Sequence, residues 1–268
     1  MSYIKEFVHK KRIIKPLGIG DAIGLYIVKL VIMFLIGLLV ALCFIPQSAQ
    51  SFIISIVGYP ILIIILLKYY SKYDYNNEFI TKTNINFKLY GAVFLFFLGY
   101  WIINYFTIIQ IANMFTNTEN FKKFHNALSI SNPLLLLITI SIIAPIFEET
   151  IYRGIILEGL LKKYNYKIAI FFSALIFSIA HGNIPQSINA FFSGLFIGYL
   201  YHKTHSLKLC IFAHILNNSL GIILAACMYF IPFLNGPLGL VLGLLMLLSS
   251  CVLFLKGNPK YVNKTESA

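Results

Sequence analysis

Residues 134–161 read LLLLITISIIAPIFEETIYRGIILEGLL, a run long enough to cross a bilayer that nevertheless carries Glu148, Glu149 and Arg153 in its interior. A charge near the middle of a spanning helix costs about 2.5 to 3.5 kcal/mol on insertion scales, so acids at that depth face a protein interior and carry chemistry or transport. Further along the chain, His181, His214 and Asn218 also fall in apolar stretches. A set of polar groups of catalytic type therefore sits where polar groups are expensive.

The rest of the chain explains that setting. Of 268 residues, 59% are hydrophobic and 11% charged, with a mean hydropathy of +0.83, against roughly 45 to 50% apolar and 25% charged in soluble domains. The chain reads as an all-α, polytopic membrane helix bundle. Apolar runs near the ~20 residues needed to cross ~30 Å of hydrocarbon occur at about 22–45, 51–69, 89–112, 133–161, 168–181, 188–201, 208–230 and 236–255. About eight transmembrane helices follow, the fifth and sixth short enough to be core or re-entrant segments.

Basic residues set the orientation, because Lys and Arg accumulate in short cytoplasmic loops. Lys5, Lys10, Lys11, Arg12 and Lys15 precede the first run. Lys68, Lys72, Lys82 and Lys88 lie in the second connection, Lys162, Lys163 and Lys167 in the fourth, Lys203 and Lys208 in the sixth, and Lys256, Lys260 and Lys264 in the tail. On the other side only Lys122 and Lys123 occur. Both termini are expected in the cytoplasm and the protein in the cell membrane, multi-pass. The net charge of +12 reads as topology and attraction to anionic headgroups; basic residues scattered among loops argue against a nucleic-acid partner.

Other features have plain readings. The first run is too long for a signal core and lacks a small-x-small cleavage site, so it is expected to be retained; Lys29, inside it, is expected to snorkel to the headgroups. Cys43, Cys210, Cys227 and Cys251 show no metal or disulfide spacing. Tyr69, Tyr70, Tyr73, Tyr75, Tyr199 and Tyr201 fall at expected span ends, as interfacial anchors do. His202 and His205 lie in a basic turn and read as solvated; His125 has no evident partner. With no repeat and no loop large enough for a soluble domain, residues 1–268 read as one membrane domain with a core near 133–230.

Helix geometry sorts the polar groups. Glu149 and Arg153 are four apart and share a face, whereas Glu148 is rotated by about 100° and stacks over Tyr152. One acid is thus paired while its neighbour is presented elsewhere. The fourth and fifth runs form a hairpin turning near Tyr164 and Asn165, which puts Glu148 and His181 at matching depth. His214 lies roughly 15 Å of helix rise beyond the next turn, near Thr204, and Asn218 is one turn further on the same face. A carboxylate, two imidazoles and an amide suit amide hydrolysis, with a Glu taking a proton from water and His or Asn stabilising the oxyanion. Glu148, His181 and His214 would equally serve as three ligands of a zinc ion with a fourth position open. HExxH and GxSxG are both absent.

At these positions the chain resembles the CPBP intramembrane proteases, the CAAX-protease and bacteriocin-processing (Abi) family. Glu148-Glu149-Thr150-Ile151-Tyr152-Arg153 matches EExxxR, Phe177 to His181 matches FxxxH, and His214 to Asn218 matches HxxxN, all in order and each in an apolar run. The resemblance implies Glu148 as general base, His214 as its partner in positioning water, His181 and Asn218 as oxyanion or carbonyl contacts, and Glu149 with Arg153 as the structural pair. It implies a membrane-associated peptide or protein as substrate, cut near the cytoplasmic face. The Lys-, Asn- and Ile-rich composition suggests a low-GC bacterium, where similar enzymes process bacteriocin or signal peptides or give self-immunity. The alternative is a non-catalytic member acting as a scaffold or regulator of a partner membrane protein.

Overall fold

The computed structural model describes Phe7 and residues 12–43, 45, 47–73, 85–106, 133–227 and 236–257. Lys5, Lys10, Lys11, Tyr75, Lys82, Lys122, Lys123, His125, Lys260 and Lys264 lie outside the described residues. Among the described residues, helix occupies most of each of the eight apolar runs. Among the described residues five helices are long and apolar enough to cross a membrane: Ile19–Leu42, Phe87–Tyr105, Leu134–Leu161, Leu207–Leu224 and Pro237–Lys256. Ile54–Tyr70 and Tyr166–Ile179 are shorter apolar helices. The run expected at 188–201 is a longer helix, Ile184–Thr204, diluted by Gln186, Asn189, Ser193, His202 and Lys203. Length and composition thus support spanning for five of the eight expected passages.

By compactness the chain divides into two units, Met1–Ile80 with Phe121–Ala180, and Thr81–Asn120 with His181–Ala268. The first contains α1 (Ile19–Leu42), α2 (Gln47–Ile53), α3 (Tyr59–Tyr70), α5 (Pro133–Ile138), α6 (Ala144–Ile151), α7 (Glu158–Leu161) and α8 (Tyr166–Ile179). The second contains α4 (Phe87–Phe106), α9 (Ile184–Thr204), α10 (Leu207–Cys227) and α11 (Pro237–Lys256).

In the first unit π-helical turns join α2 to α3 (Ile54–Gly58), α5 to α6 (Thr139–Ile143) and α6 to α7 (Tyr152–Leu157). Two have a visible cause. A proline inside a helix lacks a donor and its ring crowds the carbonyl four residues back. Pro60 and Pro145 crowd the carbonyls of Ile56 and Ser141, both inside the widened turns, which contact each other. The third contains no proline; there Ser173 Oγ, from α8, donates to the Tyr152 carbonyl at 3.1 Å, an inserted donor of the kind that interrupts a helical ladder.

A short ribbon is the departure from an all-helical chain. β1 (Arg12–Ile14) pairs antiparallel with β2 (Ser71–Tyr73), Ile13 opposite Lys72, and Arg12 Nε donates to Ser71 Oγ at 2.8 Å. Three residues per strand fall below what an alternating pattern reveals. Next to it Leu17 N donates to Gly159 O at 2.9 Å and Lys162 Nζ to Ile14 O at 2.7 Å. The segment before α1, the end of α3 and the α7–α8 turn therefore share one end of the unit. Those are three of the segments whose lysines led to the expectation of a shared cytoplasmic side.

Surfaces that would meet water in a soluble protein are apolar. Along α1, Phe34 is 70% exposed, with Ile27, Leu30, Val31, Leu38 and Leu39 also exposed beside it. Along α11, Leu248 is 64% exposed, with Val241, Leu244, Leu245 and Val252 exposed on the same helix. Helices that are apolar around their circumference belong in lipid.

In the second unit α4 packs on α11 and α10, and Leu89, Val93 and Phe97 along it are buried. The α4–α11 crossing is close because it is built on small residues. A Cβ on Gly99 would lie 2.6 Å from the Gly243 carbonyl oxygen, and one on Gly243 would lie 2.7 Å from Ile103 Cγ1. Backbone cannot yield as a side-chain tip can. We expect Gly99→Val or Gly243→Val to cost about 1 to 3 kcal/mol, read as a lowered apparent Tm in detergent; an unchanged Tm would contradict this packing.

Candidate functional site

Glu149 and Arg153 form the pair expected from their spacing. Arg153 Nη1 donates to Glu149 Oε1 at 2.8 Å, with the side chains 1% and 0% exposed. Burying two ions costs several kcal/mol each, which short contact and further partners offset. One further partner is aromatic: the guanidinium lies 4.9 Å from the Phe177 ring centroid, a cation–π contact worth about 2 kcal/mol when desolvated. Phe177 also packs edge-on against Tyr152 at 4.9 Å. The aromatic letter of FxxxH thus covers the arginine of EExxxR, a contact invisible in either motif alone.

Glu148 is half-buried and engages other groups. Tyr59 OH donates to Glu148 Oε1 at 3.4 Å, and the Tyr59 ring stacks on Phe147 with centroids 5.3 Å apart. The adjacent acids therefore do point to different surroundings, Glu149 to a guanidinium and Glu148 toward a phenol. Tyr152, one turn on from Glu148 with its backbone N–H donating to the Glu148 carbonyl, begins the π turn, and its hydroxyl accepts from Lys29 Nζ at 3.0 Å. That contact corrects the reading of Lys29 as a snorkelling residue: at 8% exposed it turns into the unit, where two tyrosine rings receive it.

The hairpin turn falls where expected. α7 ends at Leu161, and Asn165 caps α8 by accepting from Ile168 N at 3.1 Å. α8 ends at Ile179, so the helix stops two residues before His181, which lies half-buried in the following turn. Gly182 (φ +69°) carries the reversal there, a backbone region glycine enters without strain. Asn183, which caps α9 by accepting from Gln186 N at 3.0 Å, also donates from Nδ2 to the His181 carbonyl at 3.4 Å.

His214 and Asn218 lie one turn apart on α10, His214 buried at 3% exposed and Asn218 half-buried. Between them is a residue that spacing did not single out. Asn217 accepts from Trp101 Nε1 at its carbonyl (2.7 Å) and at Oδ1 (3.2 Å), and its Nδ2 donates to Asn218 Oδ1 at 3.2 Å. With Oδ1 engaged, what Asn218 offers a substrate oxygen is its NH2 group. The sole tryptophan, on α4, thus orients α10 through a neighbour of the motif residue.

Within the first unit the structure brings together Glu148, Glu149, Arg153 and Phe177; within the second lie His181, His214 and Asn218. His205, read as solvated, is half-buried and ends α9 in the left-handed conformation (φ +44°). Among the described residues no group of three or more His, Cys, Asp or Glu side chains is disposed to hold a metal ion.

Residues 130–220 match the family described as type II CAAX prenyl endopeptidase Rce1-like. That segment includes all three motifs, and the chain is a multi-pass membrane protein. It is 26% identical over 178 residues, 64% of its own length and 70% of the relative's, to a Bacillus subtilis (strain 168) protein named "Putative membrane peptidase YdiL". It is 30% identical over 132 residues, 48% of its length, to "UPF0177 protein YaiF" of Lactococcus lactis subsp. lactis (strain IL1403), of which the match spans 58%. No solved structure matches the chain significantly.

Proposed function

We propose that this protein is a glutamate-dependent intramembrane endopeptidase that hydrolyses a membrane-associated peptide or protein near the cytoplasmic face of a bacterial cell membrane. It would act as one membrane domain with both termini cytoplasmic. The observation that carries this reading is the split fate of two adjacent acids inside an Rce1-like segment. Glu149 is neutralised by Arg153 at full burial, while Glu148 is held half-buried against a phenol. A second carboxylate in a lipid-embedded helix is costly to keep without a task.

In this mechanism Glu148 accepts a proton from water as the water oxygen bonds to the scissile carbonyl carbon. His214 orients that water. His181 and the NH2 of Asn218 donate to the carbonyl oxygen as it becomes an oxyanion. Collapse breaks the carbon–nitrogen bond, and Glu148 returns its proton to the leaving amine, so the base is regenerated. Bacteriocin or signal-peptide processing, or self-immunity, is the proposed biological setting.

The test is mass spectrometry of membrane peptides from cells carrying the wild-type chain, the Glu148→Gln chain or none. A peptide that is cut only with the wild type supports the proposal; identical peptide profiles overturn it. Because the mechanism runs through a carboxylate and water, cleavage by purified protein is expected to survive EDTA and 1,10-phenanthroline unchanged. Loss on chelation with recovery on added zinc would replace the glutamate–water mechanism by a metal one.

A further inference from the structure

We propose that Lys29 and Tyr59 are positioning residues for Glu148: the lysine, seated on two tyrosines, supplies the countercharge, and the Tyr59 hydroxyl fixes the carboxylate's orientation. This rests on the reading of Glu148 as the base. Lys29 lies about 15 Å of helix rise into α1, a helix whose residues beyond it are apolar and largely exposed to lipid. A lysine there could extend along the helix toward headgroups. Instead its Nζ donates to Tyr152 OH at 3.0 Å and lies 5.0 Å from the Tyr152 ring centroid and 5.9 Å from that of Tyr59. It is also within electrostatic reach of Glu148. The groups come from three separate segments: α1, the start of α3, and the junction of α6 with its π turn.

The charges of the first unit then have a pattern. Two acids sit side by side, and two buried cations answer them. Arg153 meets Glu149 directly. Lys29 answers Glu148 at a remove, through phenol rings and hydroxyls. The difference suits the difference in task. A direct, short ion pair with the base opposes its proton uptake, whereas a cation held behind tyrosines balances charge at a distance and opposes that uptake less. Burial of an ammonium among apolar side chains costs several kcal/mol unless it is compensated, and the two rings with the nearby carboxylate are that compensation. The π turn contributes by beginning at Tyr152, which sets where that hydroxyl stands relative to Glu148 one turn earlier.

The experiment uses full-length chains purified in detergent: wild type, Tyr59→Phe, Lys29→Met, Lys29→Arg and Glu148→Gln. The probe is a synthetic form of the membrane peptide whose uncut form accumulates when Glu148→Gln replaces the wild type. We expect Tyr59→Phe, which keeps the ring and its stacking on Phe147, to lower kcat about tenfold with KM and Tm unchanged, the size of one lost hydrogen bond to a charged group. Lys29→Met should lower kcat about a hundredfold, and Lys29→Arg should recover most of it, as restoring the countercharge requires. A purely structural role would lower Tm or the yield of folded protein and leave kcat per folded molecule intact. Wild-type kcat in Tyr59→Phe, or in Lys29→Met, overturns the proposal while Glu148→Gln remains inactive. If Lys29→Met does not fold, Tyr59→Phe alone decides. If Glu148→Gln cuts at the wild-type rate, or no peptide depends on it, the reading of Glu148 as base falls and this proposal with it.

Discussion

Glu148→Gln is expected to abolish cleavage while leaving the membrane level of the protein near wild type. Glutamine keeps the volume and an oxygen able to accept from Tyr59 OH, which reaches Glu148 Oε1 at 3.4 Å, so the packing of Phe147 on Tyr59 has no reason to change. What glutamine lacks is the ability to take a proton from water. A positioned general base contributes about 10²- to 10⁴-fold, and here the same group must also protonate the leaving amine. A loss of at least about a thousandfold in kcat follows, with little change in KM if ground-state contacts are kept. Glu149→Gln should behave in the opposite manner, because Glu149 is fully buried against Arg153: less protein in the membrane, but appreciable activity per folded molecule. Quantitative immunoblots of membranes beside cleavage rates separate the two. A Glu148→Gln enzyme working at about a tenth of the wild-type rate, far above what loss of a general base allows, would remove Glu148 from the mechanism.

How far the sequence reaches depends on whether a feature is local. The helices were legible because each apolar run is continuous, and lipid tolerates no other lipid-facing backbone short of a closed barrel. The α7–α8 hairpin was legible at Tyr164 and Asn165, where polar residues interrupt two such runs. The Glu149–Arg153 pair was legible because four residues along a helix is a contact distance. Lys29 was misread because its partners Tyr59 and Tyr152 lie 30 and 123 positions away, and spacing within α1 says nothing about which side meets protein. Phe177 and Trp101 were hidden for the same reason: one covers Arg153 and the other holds Asn217, each across helices. The β1–β2 ribbon escaped because strands this short carry no period. Pro60 and Pro145 were visible, but only the folded chain shows that each widens the turn before it rather than ending its helix.

Arg153→Met is expected to be the most destabilising single substitution in the first unit. Methionine has roughly the length of the arginine stem and can fill the space against Phe177, so cavity formation is a minor part of the effect. The major part is electrostatic. Glu149 is 0% exposed, and removing the guanidinium leaves a carboxylate that must either stay charged in an apolar interior or take up a proton. Breaking a buried pair from one side costs about 3 to 5 kcal/mol, here with the cation–π contact to Phe177 lost as well. The apparent Tm in detergent should fall by roughly 10 °C, and the steady-state membrane level should drop with it. The double variant Glu149→Gln/Arg153→Met distinguishes this cause from poor packing, since it removes both charges and leaves shape nearly constant. Replacing both partners of a buried pair is commonly near neutral, so the double variant should recover most of the lost stability, giving a coupling of about 2 kcal/mol or more in a double-mutant cycle. Were the double variant as unstable as Arg153→Met, the arginine would be acting through its packing and its other contacts. The EExxxR segment would then owe its arginine to shape, and the neutralisation of Glu149, on which the contrast with Glu148 depends, would need another source.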